Sequence, residues 1–117
     1  MTLAELEHDE AVALLALLGL MARLDGQVSG DEMELLTRVV SEIGREKFDR
    51  AAKQAASLPD TEAILHTARG VTRPEAREVL FELLYDMAMR EVIVEREEQL
   101  LNFLAETWEL PARAAPS

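Results

Sequence analysis

Ala11-Val12-Ala13-Leu14-Leu15-Ala16-Leu17-Leu18-Gly19-Leu20-Met21-Ala22 is the most apolar run in the chain, and no charge interrupts it until Arg23. As a helix it reaches ~18 Å, short of the ~30 Å hydrocarbon core of a bilayer. Leu14, Leu17, Leu18 and Met21 form one stripe, with Leu15 beside it. Apolar residues nearly all round predict a central helix touched by several neighbours rather than a surface helix with one wet face. Glu5, Glu7, Asp9 and Glu10 precede the run, where a signal peptide carries positive charge. The expected setting is cytoplasmic, with no direct membrane insertion.

The remaining elements follow from punctuation on either side. Thr2 and Glu5 have capping-box spacing, so the first helix is predicted from about Leu3 to Leu24. Asp25-Gly26-Gln27-Val28 breaks it. Ser29 with Glu32 repeats the spacing, Val28 can staple onto Met33, and a second helix over about 30–43 buries Leu35, Leu36, Val39, Val40 and Ile43. Gly44 suits its C-terminal left-handed position. A third helix, about 46–57, turns Phe48, Ala51, Ala52 and Ala55 inward and ends at Leu58-Pro59. Asp60 caps a short fourth, closed by Gly70. Thr72 and Glu75 form another capping box, with Pro74 in the first turn of a fifth helix over about 73–89. A sixth, about 95–110, buries Leu100, Leu101, Phe103, Leu104 and Trp108 and stops at Pro111. No stretch alternates with period two long enough for a strand. The expected fold is all-α, one compact bundle of six to seven helices over 1–110 with a frayed tail over 111–117.

Composition agrees. The 117 residues, 49% hydrophobic, suffice for one self-supporting core, built from aliphatic side chains because aromatics make up only 4%. Without cysteine there is no disulfide, zinc-thiolate site or thiol nucleophile. The net charge of −11 and the lack of a basic stripe argue against nucleic acid and anionic lipid as partners. Charge is also uneven: residues 1–44 hold 2 basic and 9 acidic side chains, 45–77 hold 7 and 5, and 78–117 hold 3 and 9.

That layout suggests duplication. An offset of 65 residues places Leu18 on Leu83, Glu32 on Glu97, Leu35 on Leu100 and Leu36 on Leu101, and matches Val28 with Ile93, Val39 with Leu104 and Ile43 with Trp108. Two pseudo-repeated helical hairpins are therefore expected, joined by the middle helices.

The turn at 25–32 is the richest in chemistry. Asp25, Asp31, Glu32 and Glu34 gather oxygen ligands of the kind hard cations require. An EF-hand fails, because its bidentate glutamate position holds Leu36 and its apolar position holds Glu32. Helix capping is the competing use of the same side chains. In the second copy, Arg90 stands where Asp25 does, while Glu91, Glu95, Glu97 and Glu98 remain.

Ala22-x-x-Asp25-Gly26-x-Val28-Ser29-x-x-Glu32, set between two apolar helices, resembles the tellurite-resistance TerB-like domain over roughly 10–110. The resemblance implies an all-helical, non-enzymatic module of stress response whose motif acids bind a divalent cation such as Ca²⁺ or Mg²⁺. Carried onto this chain it points to Asp25 and Glu32, with Glu97 in the second copy; the turn's own carboxylates add Asp31. The rival expectation is a protein-interaction scaffold, co-chaperone-like or signalling, with an unidentified protein partner and no metal.

Other features are weaker. His8 lies among Glu5, Glu7 and Asp9, and His66 follows Glu62 by four residues; both read as exposed helix pairs. No phosphate loop, H-E-x-x-H or G-x-S-x-G is present, and nothing marks Ser29 or Ser41 as an activated nucleophile. Glu82, Asp86 and Arg90 share one stripe of the fifth helix. Met21, Met33, Met87 and Met89 fill a core or line an adaptable groove, and Trp108 is expected to anchor the last helix.

Overall fold

The structure, a computed structural model, describes residues 1–25, 30–89 and 95–110; within these, the side chains of 24, 25, 30–32 and 96 are not described. A 3-10 turn at Leu3–Glu5 leads into α1 (His8–Asp25), α2 (Gly30–Ile43), α3 (Arg45–Ala56), α4 (Thr61–Arg69), α5 (Pro74–Met89) and α6 (Glu95–Thr107). Among the described residues there is no strand, and the all-α expectation holds.

The apolar run occupies α1 and is covered by several neighbours as expected, with only Gly19 exposed: α1 packs against α3, α4, α5 and α6. Leu14, Leu17 and Met21 are fully buried in one continuous core that reaches from Leu3 to Trp108. The radius of gyration, 13.1 Å, is that of a compact chain of this length.

The first helix begins later than its capping box predicts. Glu5 does accept the Thr2 N–H, at 3.2 Å, but only a 3-10 turn follows, and Leu6 is extended (φ −65°, ψ 139°). The kink lets both Leu3 and Leu6 reach the core, at 5% and 1% exposure. A second box then starts α1, with Glu10 accepting the Glu7 N–H at 2.7 Å. The fifth helix likewise opens one residue late, at Pro74, with Arg73 at the N-cap and its carbonyl bonded to Arg77 N–H at 3.0 Å.

Elsewhere local chemistry sets the boundaries. Asp60 caps α4, accepting the Ala63 N–H at 2.9 Å. Gly44 alone joins α2 to α3, donating to the Val40 carbonyl at 3.0 Å and accepting from Phe48 N–H at 2.8 Å. Its φ of +97° and ψ of 136° suit glycine and no other residue. At its C-terminus α6 stops at Thr107, not at Leu110. Glu109 takes φ +55°, Leu110 N–H reaches the Ala105 carbonyl at 2.9 Å, and Glu109 N–H reaches Glu106 at 3.2 Å. These two bonds are a Schellman motif with glutamate in the place glycine prefers.

The 65-residue offset carries α1 onto 73–90 and α2 onto 95–108, so α5 and α6 match their counterparts to within one residue at each end. Leu18 and Leu83, Leu35 and Leu100, Val39 and Leu104, Ile43 and Trp108 are all buried. Surroundings differ between the copies. Helix α2 packs chiefly on the N-terminal turn and α3, whereas α6 packs on α5 and α1.

Gly44 and Glu109, the two positive-φ positions among the described residues, make opposite predictions. Gly44→Ala introduces no clash, since nothing lies within 4 Å of the added Cβ, yet backbone strain should cost roughly 1–3 kcal/mol. Glu109→Gly relieves strain and should gain up to about 1 kcal/mol. Urea unfolding of the two variants measures both signs.

Candidate functional site

Asp25 is the last residue of α1, and Asp31 and Glu32 stand in the first turn of α2. Their side chains, with the Ser29–Glu32 capping box, the Val28 staple and Arg90, lie outside the described residues. Glu97 is described: it sits in the first turn of α6 and is drawn inside, 5% exposed. Among the described residues no three His, Asp or Glu side chains cluster closely enough to hold a metal.

The other candidates resolve into structural parts. His8 Nε2 lies 2.6 Å from Gln54 Oε1, linking the start of α1 to α3, and His66 is exposed. Met21 and Met87 are core residues, whereas Met33 and Met89 are exposed. Trp108 anchors α6 as expected. It is 1% exposed, and its indole N–H donates to the Ala68 carbonyl at 2.9 Å, at the end of α4. Arg77 works beside it, donating to the carbonyls of Val71 at 2.7 Å and Trp108 at 3.4 Å. Arg69 stacks over Phe103, 5.4 Å from the ring centre.

One pair went unseen in the sequence. Glu10, 4% exposed, takes a forked contact from Arg73: Nε to Oε2 at 2.8 Å and Nη2 to Oε1 at 2.5 Å. Arg73 Nη2 also donates to the Glu5 carbonyl at 3.2 Å. Lys47 reaches the same arm, donating to the carbonyls of Ala4 and Leu6. The guanidinium hydrogen bond holds the Glu10 carboxyl below its usual range against the opposing effect of burial, and the Glu7 N–H adds to the lowering. The same bond raises Arg73. Such a bidentate, charge-assisted pair fastens the start of α1 to the residue that precedes α5, and the bond to the Glu5 carbonyl draws in the N-terminal arm. Its one advance signal is Glu7-x-x-Glu10, a second acid-capping spacing just before the apolar run.

A concavity of about 830 Å³ lies between α2, the N-terminal arm and α5. Glu78, Glu82 and Asp86 line it from α5, and Arg38 and Glu42 line it from α2, joined to each other at 3.4 Å. Between them are apolar groups: Leu3, Val79, Phe81 and Tyr85, the two rings stacked at 6.3 Å. Met1 and Met89, also lining residues, are 42% and 40% exposed. A smaller groove of about 440 Å³ runs between α1 and α3, lined by small residues including Gly19, Ala52 and Ala55 beside Phe48.

Compared with protein-family models, curated proteins and solved structures, the chain matches none.

The Glu10–Arg73 pair makes acid stability testable. The Glu10 carboxyl is held below its ordinary range when folded, so its contribution is present above that range and fades as pH falls through the lowered value. Thermal melts between pH 7 and pH 2.5 should show Arg73→Met lowering the midpoint at neutral pH, with the gap to wild type closing in acid. A gap independent of pH contradicts this reading.

Proposed function

We propose that this chain is a non-enzymatic binding module that works through its α2–α5 groove. The observation that carries the reading is the composition of that groove: an apolar floor, walls bearing four carboxylates and one guanidinium, and two exposed methionines. Apolar surface open to water and edged by charge is what a protein-recognition site requires. The resemblance of the Asp25-Gly26 motif to TerB-like domains supports a stress-response setting, and the cytoplasm is part of the same proposal. No described helix is long and apolar enough to cross a membrane.

A second reading assigns a divalent cation, Ca²⁺ or Mg²⁺, to the 25–32 turn, held by Asp25, Asp31 and Glu32 with Glu97 contributing. Favouring it is Glu97 itself, a carboxylate buried at the head of α6 at the position paired with Glu32. Oxygen donors of this type fit a hard cation.

Each reading has its own measurement. A photo-crosslinking side chain at Met89, inside the groove, should give a discrete adduct in cells that is lost on Glu82→Lys; the same group at Met33, exposed outside the lining, should give none. Adducts from both positions alike would remove the groove assignment. For the cation, the thermal midpoint should rise with the logarithm of Ca²⁺ or Mg²⁺ concentration, and Asp25→Asn should abolish the rise. An unchanged response in Asp25→Asn sinks the metal reading.

A further inference from the structure

We propose that Met33 and Met89 are reversible oxidation sites, where a hydroperoxide converts the thioether to the sulfoxide while the fold stays intact. The inference goes beyond the docking reading and does not depend on it. It starts from which apolar side chains the surface carries. Among the described residues, the large hydrophobic side chains left exposed are Met1 at 42%, Met33 at 54% and Met89 at 40%. Every described leucine, valine, isoleucine and aromatic side chain is buried or half-buried. Open apolar positions are thus held by the one apolar side chain that peroxide attacks.

Both sites lie on the wet side of their helices. In α2 the inward row is Leu35, Val39 and Ile43. Met33 stands two residues before Leu35, about 200° round the helix axis, in line with the exposed Thr37 and Ser41. Thr37 Oγ1 donates to the Met33 carbonyl at 2.9 Å, a bond that oxidation at sulfur leaves in place. Helix α5 contains its own comparison: Met87 is 4% exposed and belongs to the core, whereas Met89, two residues on, faces out. Met21 of α1 is wholly buried.

The chemistry needs only the peroxide. A sulfur lone pair attacks the terminal oxygen of the hydroperoxide, the O–O bond breaks, and the peroxide leaves as water or an alcohol. Sulfur is oxidised by two electrons and the peroxide is reduced by two. Burial decides what the new polar group does. Inside the core, at Met21 or Met87, a sulfoxide disrupts packing. At Met33 or Met89 it has water to turn to. A methionine-sulfoxide reductase restores the thioether with electrons from a dithiol, which becomes a disulfide as water is released.

The test treats the full chain with hydrogen peroxide and follows each methionine by peptide mass spectrometry. Met33 and Met89 should each gain one oxygen at least about tenfold faster than Met21, which reacts only when the fold opens. Met87, which reaches the α1–α3 groove by an edge, should fall between them. Near-UV circular dichroism and the thermal midpoint should stay near those of untreated chain until the slow methionines react. Both sulfoxide reductases with dithiothreitol should then return the original mass. In Met33→Leu/Met89→Leu the fast uptake should shrink to that of Met1, with the Met21 rate unchanged. Oxidation of Met21 or Met87 as fast as that of Met33 overturns the proposal, as does loss of the folded signal when only Met33 and Met89 have reacted. Slow reaction at Met33 or at Met89 removes that site, and sulfoxides that the reductases leave in place remove the reversibility.

Discussion

Covering α1 is the constraint on which this architecture depends. A helix with no charge between Ala11 and Ala22 has no side fit to face water, so it must be enclosed, and a single neighbour covers only one stripe. Four helices do the work here. The short α3 and α4 contribute small or half-buried residues such as Ala51, Ala55 and Ala68, which let their backbones approach closely. Longer partners come from α5 and α6, through Leu80, Leu84, Leu104 and Trp108. The hairpin of α5 and α6 is thus part of the enclosure, while α2 leans on the N-terminal arm and α3. Similar sequence patterns occupy different places because only one copy contains the helix that has to be surrounded.

Enclosure also accounts for the distribution of charge. The near-neutral middle third holds seven cations, and three of them, Lys47, Arg73 and Arg77, are turned to internal tasks: fastening the first residues, closing the α4–α5 link and bracing the end of α6. Among the described acidic side chains only Glu10 and Glu97 are buried. The outer surface is therefore negative by default, and the α2–α5 groove is where that negativity meets apolar ground.

Much of this was legible from local pattern. Helix boundaries came within about three residues in most cases because caps and breakers act over one turn: Asp60 on Ala63, Gly44 between two helices, Pro74 at a helix start. Burial followed periodicity, with Leu35, Val39, Ile43, Leu100, Leu101 and Leu104 all inside. Contacts between distant segments were not legible. Glu10 and Arg73 are 63 residues apart, and nothing near either announces the other. Phe81 and Ala88 are buried along with Leu80, Leu83, Leu84 and Met87, because α5 is covered over more than one stripe. The row of Glu82 and Asp86 could be read along its helix, but its opposite wall on α2 exists only once the bundle has closed. Of Asp25, Asp31, Glu32 and Glu97, Glu97 alone has a described side chain, and its burial was not expected of a glutamate.

Several ties in this molecule address backbone oxygen instead of side chains. Lys47 grips the carbonyls of Ala4 and Leu6, Arg77 those of Val71 and Trp108, and the indole of Trp108 that of Ala68. Every residue type supplies a carbonyl, so the gripped positions are free to drift during evolution within the limits of size, while Lys47, Arg77 and Trp108 are not. Glu10 and Arg73 obey the opposite rule: each depends on the identity of the other, and descendants of this chain should change the two together or keep both.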